Sequence, residues 1–164
     1  MKAERAGFRM KRQEQRLVGL GNDPYQAGRK LHGATRCADC GALFHRGRWT
    51  WRATPSHAAT GLCPACRRIR ERLPAGFVRL RGPFVREHGD ELLSRVRSCE
   101  TSERREHPLQ RIMAVQTGSE GILITTTDPH LARRIGEALR SAYKGELRVR
   151  YNKDERLVRV YWSR

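Results

Sequence analysis

Acidic side chains are scarce in this chain: 17 Asp plus Glu stand against 34 Lys plus Arg, a net charge of +17 over 164 residues. Lysine is scarce too, with Arg supplying 29 of the 34 basic groups. No run approaches the roughly 18 apolar residues that a bilayer-spanning helix needs. No basic helix with a large apolar face stands out either, so a membrane partner is not expected. The N-terminal stretch from Met1 to Leu20 is basic but has no continuous apolar segment. It therefore does not read as a secretory signal, and the expectation is a cytoplasmic protein. The apolar share is 38%, below the usual level, which predicts that part of the chain is poorly packed. Catalytic signatures are missing as well. There is no GxxxxGK[ST], no HExxH and no GxSxG. His88, Asp90 and His107 have no partner constellation, so the expectation is a non-enzyme. Duplex-DNA readers are equally absent: no helix-turn-helix, no finger of two cysteines and two histidines, and no homeodomain helix is found.

What is present is unevenly placed. Residues 1–89 hold 19 basic and 6 acidic side chains, and residues 90–164 hold 15 and 11. The positive field is concentrated in the first half and favours a polyanion as partner. Arginine suits that role, because its planar fork binds phosphate bidentately and stacks on bases.

The cysteines carry the sharpest signal. Cys37-Ala38-Asp39-Cys40-Gly41 and Cys63-Pro64-Ala65-Cys66 are two CxxC motifs. Each CxxC turn brings two sulfurs close to one point, and the glycine lets the backbone turn tightly. Two such turns supply four thiolates in a tetrahedron, which suits Zn2+. Paired disulfides would need an oxidising compartment, and a thioredoxin-like site needs only one CxxC in a βαβ setting. An iron–sulfur cluster is a further alternative for four cysteines. Four protein ligands leave no open position, so the ion is expected to be structural. Its four thiolates leave a charge of −2, which Arg36, Arg67 and Arg68 are placed to offset. His45 and His57 are expected outside the ligand set, and Cys99 is expected on the apolar face of a helix.

Three regions follow. Residues 1–35 read as a basic tail, with a short helix near Glu4–Leu17 as an option. Residues 36–76 form the four-cysteine zinc-binding module, with a hairpin over Leu43–Arg52 and a short basic helix after Cys66. Residues 77–164 read as an α+β domain in the order helix, hairpin, helix, hairpin, preceded by a strand at Phe77–Leu80. Asp90 is expected to cap a helix to about Arg104, with Leu92, Leu93, Val96 and Cys99 inward. Asp128 and Pro129 open a second helix with Leu131, Ile135, Leu139 and Ala142 inward, ended by Gly145. Hairpins are expected over Gln110–Thr127 and Leu147–Trp162. The fold class is α+β: a four-cysteine zinc ribbon followed by a small antiparallel α/β sandwich-like domain.

Two surfaces are candidates for RNA. The first is on the cysteine module: Arg46, Arg48, Trp49, Trp51 and Arg52, with Arg67, Arg68, Arg70 and Arg72 just beyond. Trp49 and Trp51 are expected on one face, where stacking on bases competes with packing over the small core. The second is in the last hairpin. Strand alternation puts Leu147, Val149, Tyr151, Val158, Val160 and Trp162 inside. It turns Arg148, Arg150, Leu157, Arg159 and Tyr161 outward, a basic face with one aromatic.

The motifs Cys63-Pro64-Ala65-Cys66-Arg67-Arg68-Ile69, Pro74-Ala75-Gly76 and Thr126-Thr127-Asp128-Pro129-His130-Leu131-Ala132-Arg133-Arg134-Ile135-Gly136 resemble a group of small bacterial zinc-ribbon proteins of unassigned function. That likeness spans residues 35–164. The double-CxxC region alone is similar to the zinc-binding region of the archaeal and eukaryotic large-ribosomal-subunit export adaptor. The resemblance implies Cys37, Cys40, Cys63 and Cys66 as zinc ligands and ribosomal RNA as partner, with a stress or dormancy role beyond it. The expectation is a zinc-dependent RNA-binding protein. A DNA-binding regulator and a zinc-dependent protein-interaction module are the alternatives.

Overall fold

The computed structural model describes Leu31, residues 33–152 and residues 157–164. The expected helix near Glu4–Leu17, most of the basic tail, and residues 153–156 of the last hairpin turn lie outside the described residues. Among the described residues no helix is long and apolar enough to cross a membrane.

The arrangement is α+β, with two small mixed sheets and the four clustered cysteines in the N-terminal part. Strands β1 (Thr35–Cys37), β2 (Leu43–His45), β3 (Arg48–Thr50) and β4 (Ala59–Gly61) form the first sheet in the order β3-β2-β1-β4. The β2–β3 hairpin turns on Arg46 and Gly47, both at positive φ (49° and 79°). That is the backbone a two-residue hairpin requires to match the strand twist. Strand β4 pairs parallel to β1, because residues 51–58 carry the chain back across the module. Helix α1 (Pro64–Glu71) starts inside the second CxxC. Cys63 is its N-cap, Pro64 occupies the first turn, and Arg72 ends it in the left-handed region at φ 54°.

The second sheet contains β5 (Gly76–Arg81), β6 (Ile112–Gly118), β7 (Gly121–Thr126), β8 (Glu146–Asn152) and β9 (Leu157–Ser163), in the order β6-β7-β5-β9-β8. Both expected hairpins form, but the sheet is not purely antiparallel. Strand β5 inserts between the hairpins and runs parallel to β9. The register explains why: Val78 lies opposite Val160 and Leu80 opposite Trp162, so two buried apolar rows coincide on one face.

Helices α2 (Pro83–Glu87), α3 (Gly89–Glu106) and α4 (Pro129–Tyr143) cover that face. Leu92 and Val96 of α3, and Leu131, Ala132, Ile135 and Leu139 of α4, join Val78, Leu80, Ile124, Val160 and Trp162 in the main core. Gly136 lets α4 approach closely, since a Cβ there would meet Val160 Cγ1 at 2.6 Å. Asp128 caps α4 as expected, accepting from the N–H groups of His130 and Leu131.

Several expectations need correction. The cap of α3 is His88, not Asp90; Pro83 starts helical structure earlier, and Asp90 falls in the first turn. Ala142 is exposed, while Ala132 and Gly136 take the inward positions. Tyr151 is 60% exposed because β8 is an edge strand. Leu157 does face away from the helices, yet it is buried with Phe77 and Leu123 beneath Leu73 of the segment between the two sheets.

Candidate metal centre

The first CxxC leaves β1 at Cys37 and turns through Gly41 at φ +77°. The second is the N-terminus of α1. The two meet so that the Sγ atoms of Cys37, Cys40, Cys63 and Cys66 all lie within 4.8 Å of one another. Cys40 Sγ and Cys63 Sγ are 3.8 Å apart. A disulfide needs about 2.05 Å, whereas sulfurs about 2.3 Å from one tetrahedral ion stand roughly 3.8 Å apart. Cys37, Cys63 and Cys66 are buried and Cys40 is half-buried. His45 and His57 are not in this group, as expected. The four sulfurs can hold a metal ion and are disposed as in a zinc ribbon.

Backbone amides stabilise charge on these sulfurs. The Cys63 N–H donates to Cys37 Sγ and the Cys66 N–H to Cys63 Sγ, each at 3.3 Å. Burial pushes the Cys37 thiol up, but amides of Cys63, Cys40 and Asp39 outweigh it and bring it down to about 6. Burial pushes the Cys63 and Cys66 thiols up. A cluster this buried holds four thiolates only if positive charge is supplied within it.

Part of that charge comes from a residue that the sequence pattern did not single out. Arg111 is only 6% exposed and lies just before β6, far along the chain. Its Nη1 donates to Cys66 Sγ at 3.2 Å, and its Nη2 donates to Cys40 Sγ at 3.1 Å and Cys63 Sγ at 3.3 Å. Its Nε donates to Pro108 O at 2.9 Å. Burial works against its charge, but the surrounding sulfurs more than offset this and hold the guanidinium protonated. Arg111 therefore joins the charges expected near the cluster and is the one seen to donate to its sulfurs. Arg68 is itself buried, at 7% exposure, with Nη1 donating to Leu73 O. That inward turn also removes Arg68 from the expected RNA-contact set.

The other candidate contacts divide. Arg46, Arg48 and Arg52 are exposed around the β2–β3 hairpin, and Arg72 is exposed at the end of α1. Arg67 is half-buried on α1, and Arg70 makes a two-point ion pair with Asp39. Trp49 packs on the cysteine core and against Phe44, with ring centroids 5.5 Å apart. β3 ends at Thr50, and Trp51 Nε1 donates to Arg104 O at 2.6 Å.

The last hairpin does assemble one patch. Arg148 lies opposite Tyr161, and Arg150 lies opposite Arg159. Across β9, Arg159 lies opposite Phe77 and Tyr161 opposite Arg79 of β5. Arg150 sits over the Tyr161 ring at 5.9 Å and Arg159 over Phe77 at 5.8 Å. Arg79 and Arg81 extend this face. The alternation of β5 hinted at them, but their position beside β9 depends on a parallel pairing between strands about eighty residues apart.

The motifs behind the family likeness meet at one junction. The Ala75 N–H donates to Thr126 O at 2.8 Å, and a Cβ at Gly76 would strike Thr126 Oγ1. Thr127 Oγ1 accepts from the Arg111 N–H at 2.9 Å and donates to Leu109 O at 2.6 Å. The Thr-Thr-Asp motif is thus a structural seat for both the α4 cap and Arg111. No family model matches the chain, and no curated protein and no solved structure matches it.

Proposed function

We propose that this chain is a zinc-binding, RNA-binding protein associated with ribosomal RNA, and a binding protein rather than an enzyme. Zinc is favoured because four soft thiolates at tetrahedral spacing suit a borderline-soft dication with no geometric preference of its own. Four protein ligands leave it no position for substrate, so its role is to hold the ribbon. The observation that carries the RNA reading is the arginine-bearing face of β8, β9 and β5 that is turned away from the helices. Arg79 and Arg148 flank Tyr161 on it, Arg150 and Arg159 pair beside them, and Arg81, ion-paired with Glu120, lies further along β5. The arginines contribute phosphate contacts, and Tyr161 offers a ring on which an unpaired base stacks. The exposed Arg46, Arg48 and Arg52 add charge from the ribbon. The likeness of the double CxxC to the large-subunit export adaptor supports ribosomal RNA as the target.

The test has two parts. Purified protein is expected to carry one zinc per chain by elemental analysis. Binding to fragmented ribosomal RNA is expected to weaken steeply with salt, with a slope reflecting several neutralised phosphates. Changing Arg150 and Arg159 to Gln together is expected to weaken binding about tenfold or more and to flatten that slope by about 1.4, roughly 0.7 per contact for single strands. Equal binding by this variant at every salt concentration sinks the assignment of the face. Preference for one duplex DNA sequence over ribosomal RNA sinks the RNA reading itself.

A further inference from the structure

Arg111 is an anomaly as a structural residue. A buried guanidinium usually meets a carboxylate, and leaving one unmatched is strongly destabilising. Here its described hydrogen-bond acceptors are three cysteine sulfurs and the Pro108 carbonyl. The residue belongs to the α+β part of the chain, where Thr127 fixes its backbone from both sides. The Arg111 N–H donates to Thr127 Oγ1, and the Thr127 N–H donates to Arg111 O, each at 2.9 Å. Two other contacts follow the same path. Leu109 packs against the cysteine core, and Trp51 Nε1 bonds the Arg104 carbonyl near the end of α3.

We propose that Arg111 is a working part of the metal centre, coupling metal binding to the docking of the ribbon on the α+β domain. A dication gathers four thiolate charges at one point and leaves the cluster at −2; the guanidinium lowers this to −1. Its three N–H···S bonds fix the orientation of sulfurs from both CxxC motifs at once, as outer hydrogen bonds do in metal sites generally. The guanidinium in turn has a counter-charge only while the cluster is assembled. Metal loss therefore removes the reason for Arg111 to stay buried, and the two parts separate at this seam. The coupling rests on the metal half of the proposed function and is independent of the RNA half.

Cobalt(II) is the probe, because its thiolate charge-transfer bands report directly on hydrogen bonding to sulfur. The full chain is compared with Arg111→Gln and Arg111→Lys for cobalt affinity, band position, and amide exchange at Arg111 and Thr127. In Arg111→Gln we expect a cobalt affinity about 10- to 100-fold weaker, shifted bands and faster exchange at both amides. Protection in α4 is expected to hold. Arg111→Lys keeps the charge but cannot reach three sulfurs, and should fall between. Bands that move while α4 stays protected separate this role from a general packing defect. Wild-type affinity, bands and exchange in Arg111→Gln overturn the proposal. If that variant does not fold, the same wild-type values in Arg111→Lys overturn it. A wild-type chain that takes up no cobalt overturns the metal reading and the coupling together.

Discussion

The ribbon and the α+β domain are built from opposite materials. The buried residues of the ribbon's core are Cys37, Ala42, Cys63, Ala65 and Cys66. Those of the domain are mostly Val, Leu and Ile side chains around Trp162, with Ala132. Apolar burial contributes about 25 cal/mol per Å2, so alanines and cysteines contribute little against the entropy of ordering three-residue strands. The domain carries the larger apolar core. On the proposed reading the ribbon obtains its stability from coordination, so its order would depend on an ion in a way that the domain's does not.

The sharpest way to break that contrast is to remove the metal. Chelation, or Cys66→Ser, is expected to take away a contribution on the order of 10 kcal/mol. Amides of β1, β2 and β4 should then exchange at open-chain rates while those of α4 stay protected. Simultaneous loss of both sets would show one cooperative unit instead. The converse cut is Ile135→Ala, at the fully buried centre of α4. It is expected to cost about 2–5 kcal/mol in denaturant unfolding followed by helical circular dichroism, with metal stoichiometry unchanged. Asp128→Ala removes a cap that accepts from two N–H groups, and about 1 kcal/mol of stability should go with it, again without metal release. The smallest effect belongs to the surface. Glu146 pairs with the exposed Arg148, at 2.7 Å. Glu146→Gln should leave the melting temperature unchanged within error and strengthen RNA binding less than threefold. Weaker binding in that variant would count against Arg148 as a phosphate contact.

How far these features were legible depends on their range along the chain. The CxxC pairs state their own chemistry, since each needs only a local turn. Asp128-Pro129 with Leu131, Ile135 and Leu139 states a capped amphipathic helix within a single stretch of residues. The alternation of Val158, Val160 and Trp162 states an inward strand face. Failures came where a neighbour from elsewhere decided the outcome. Leu157 follows the expected alternation and points outward, but Leu73 covers it. Tyr151 obeys the inward pattern and is exposed, because its strand lies at the edge of the sheet. Arg68 sits in a run of arginines that looks like a solvated face, and its neighbour Leu73 offers a carbonyl that draws it in.

Local order along the chain determined three things: four cysteines spaced so that they could hold a metal ion, an excess of arginine, and helices and hairpins whose periodicities can be counted. Only the assembled fold decided that β5 lies parallel to β9, so that Arg79 and Arg81 join Arg148, Arg150 and Arg159 on one face. It alone brought Arg111 to sulfurs more than forty residues away. The reason is physical. Turn chemistry and periodicity act between residues a few positions apart, whereas compensation of a buried charge and the matching of apolar rows act between whichever groups folding brings into contact.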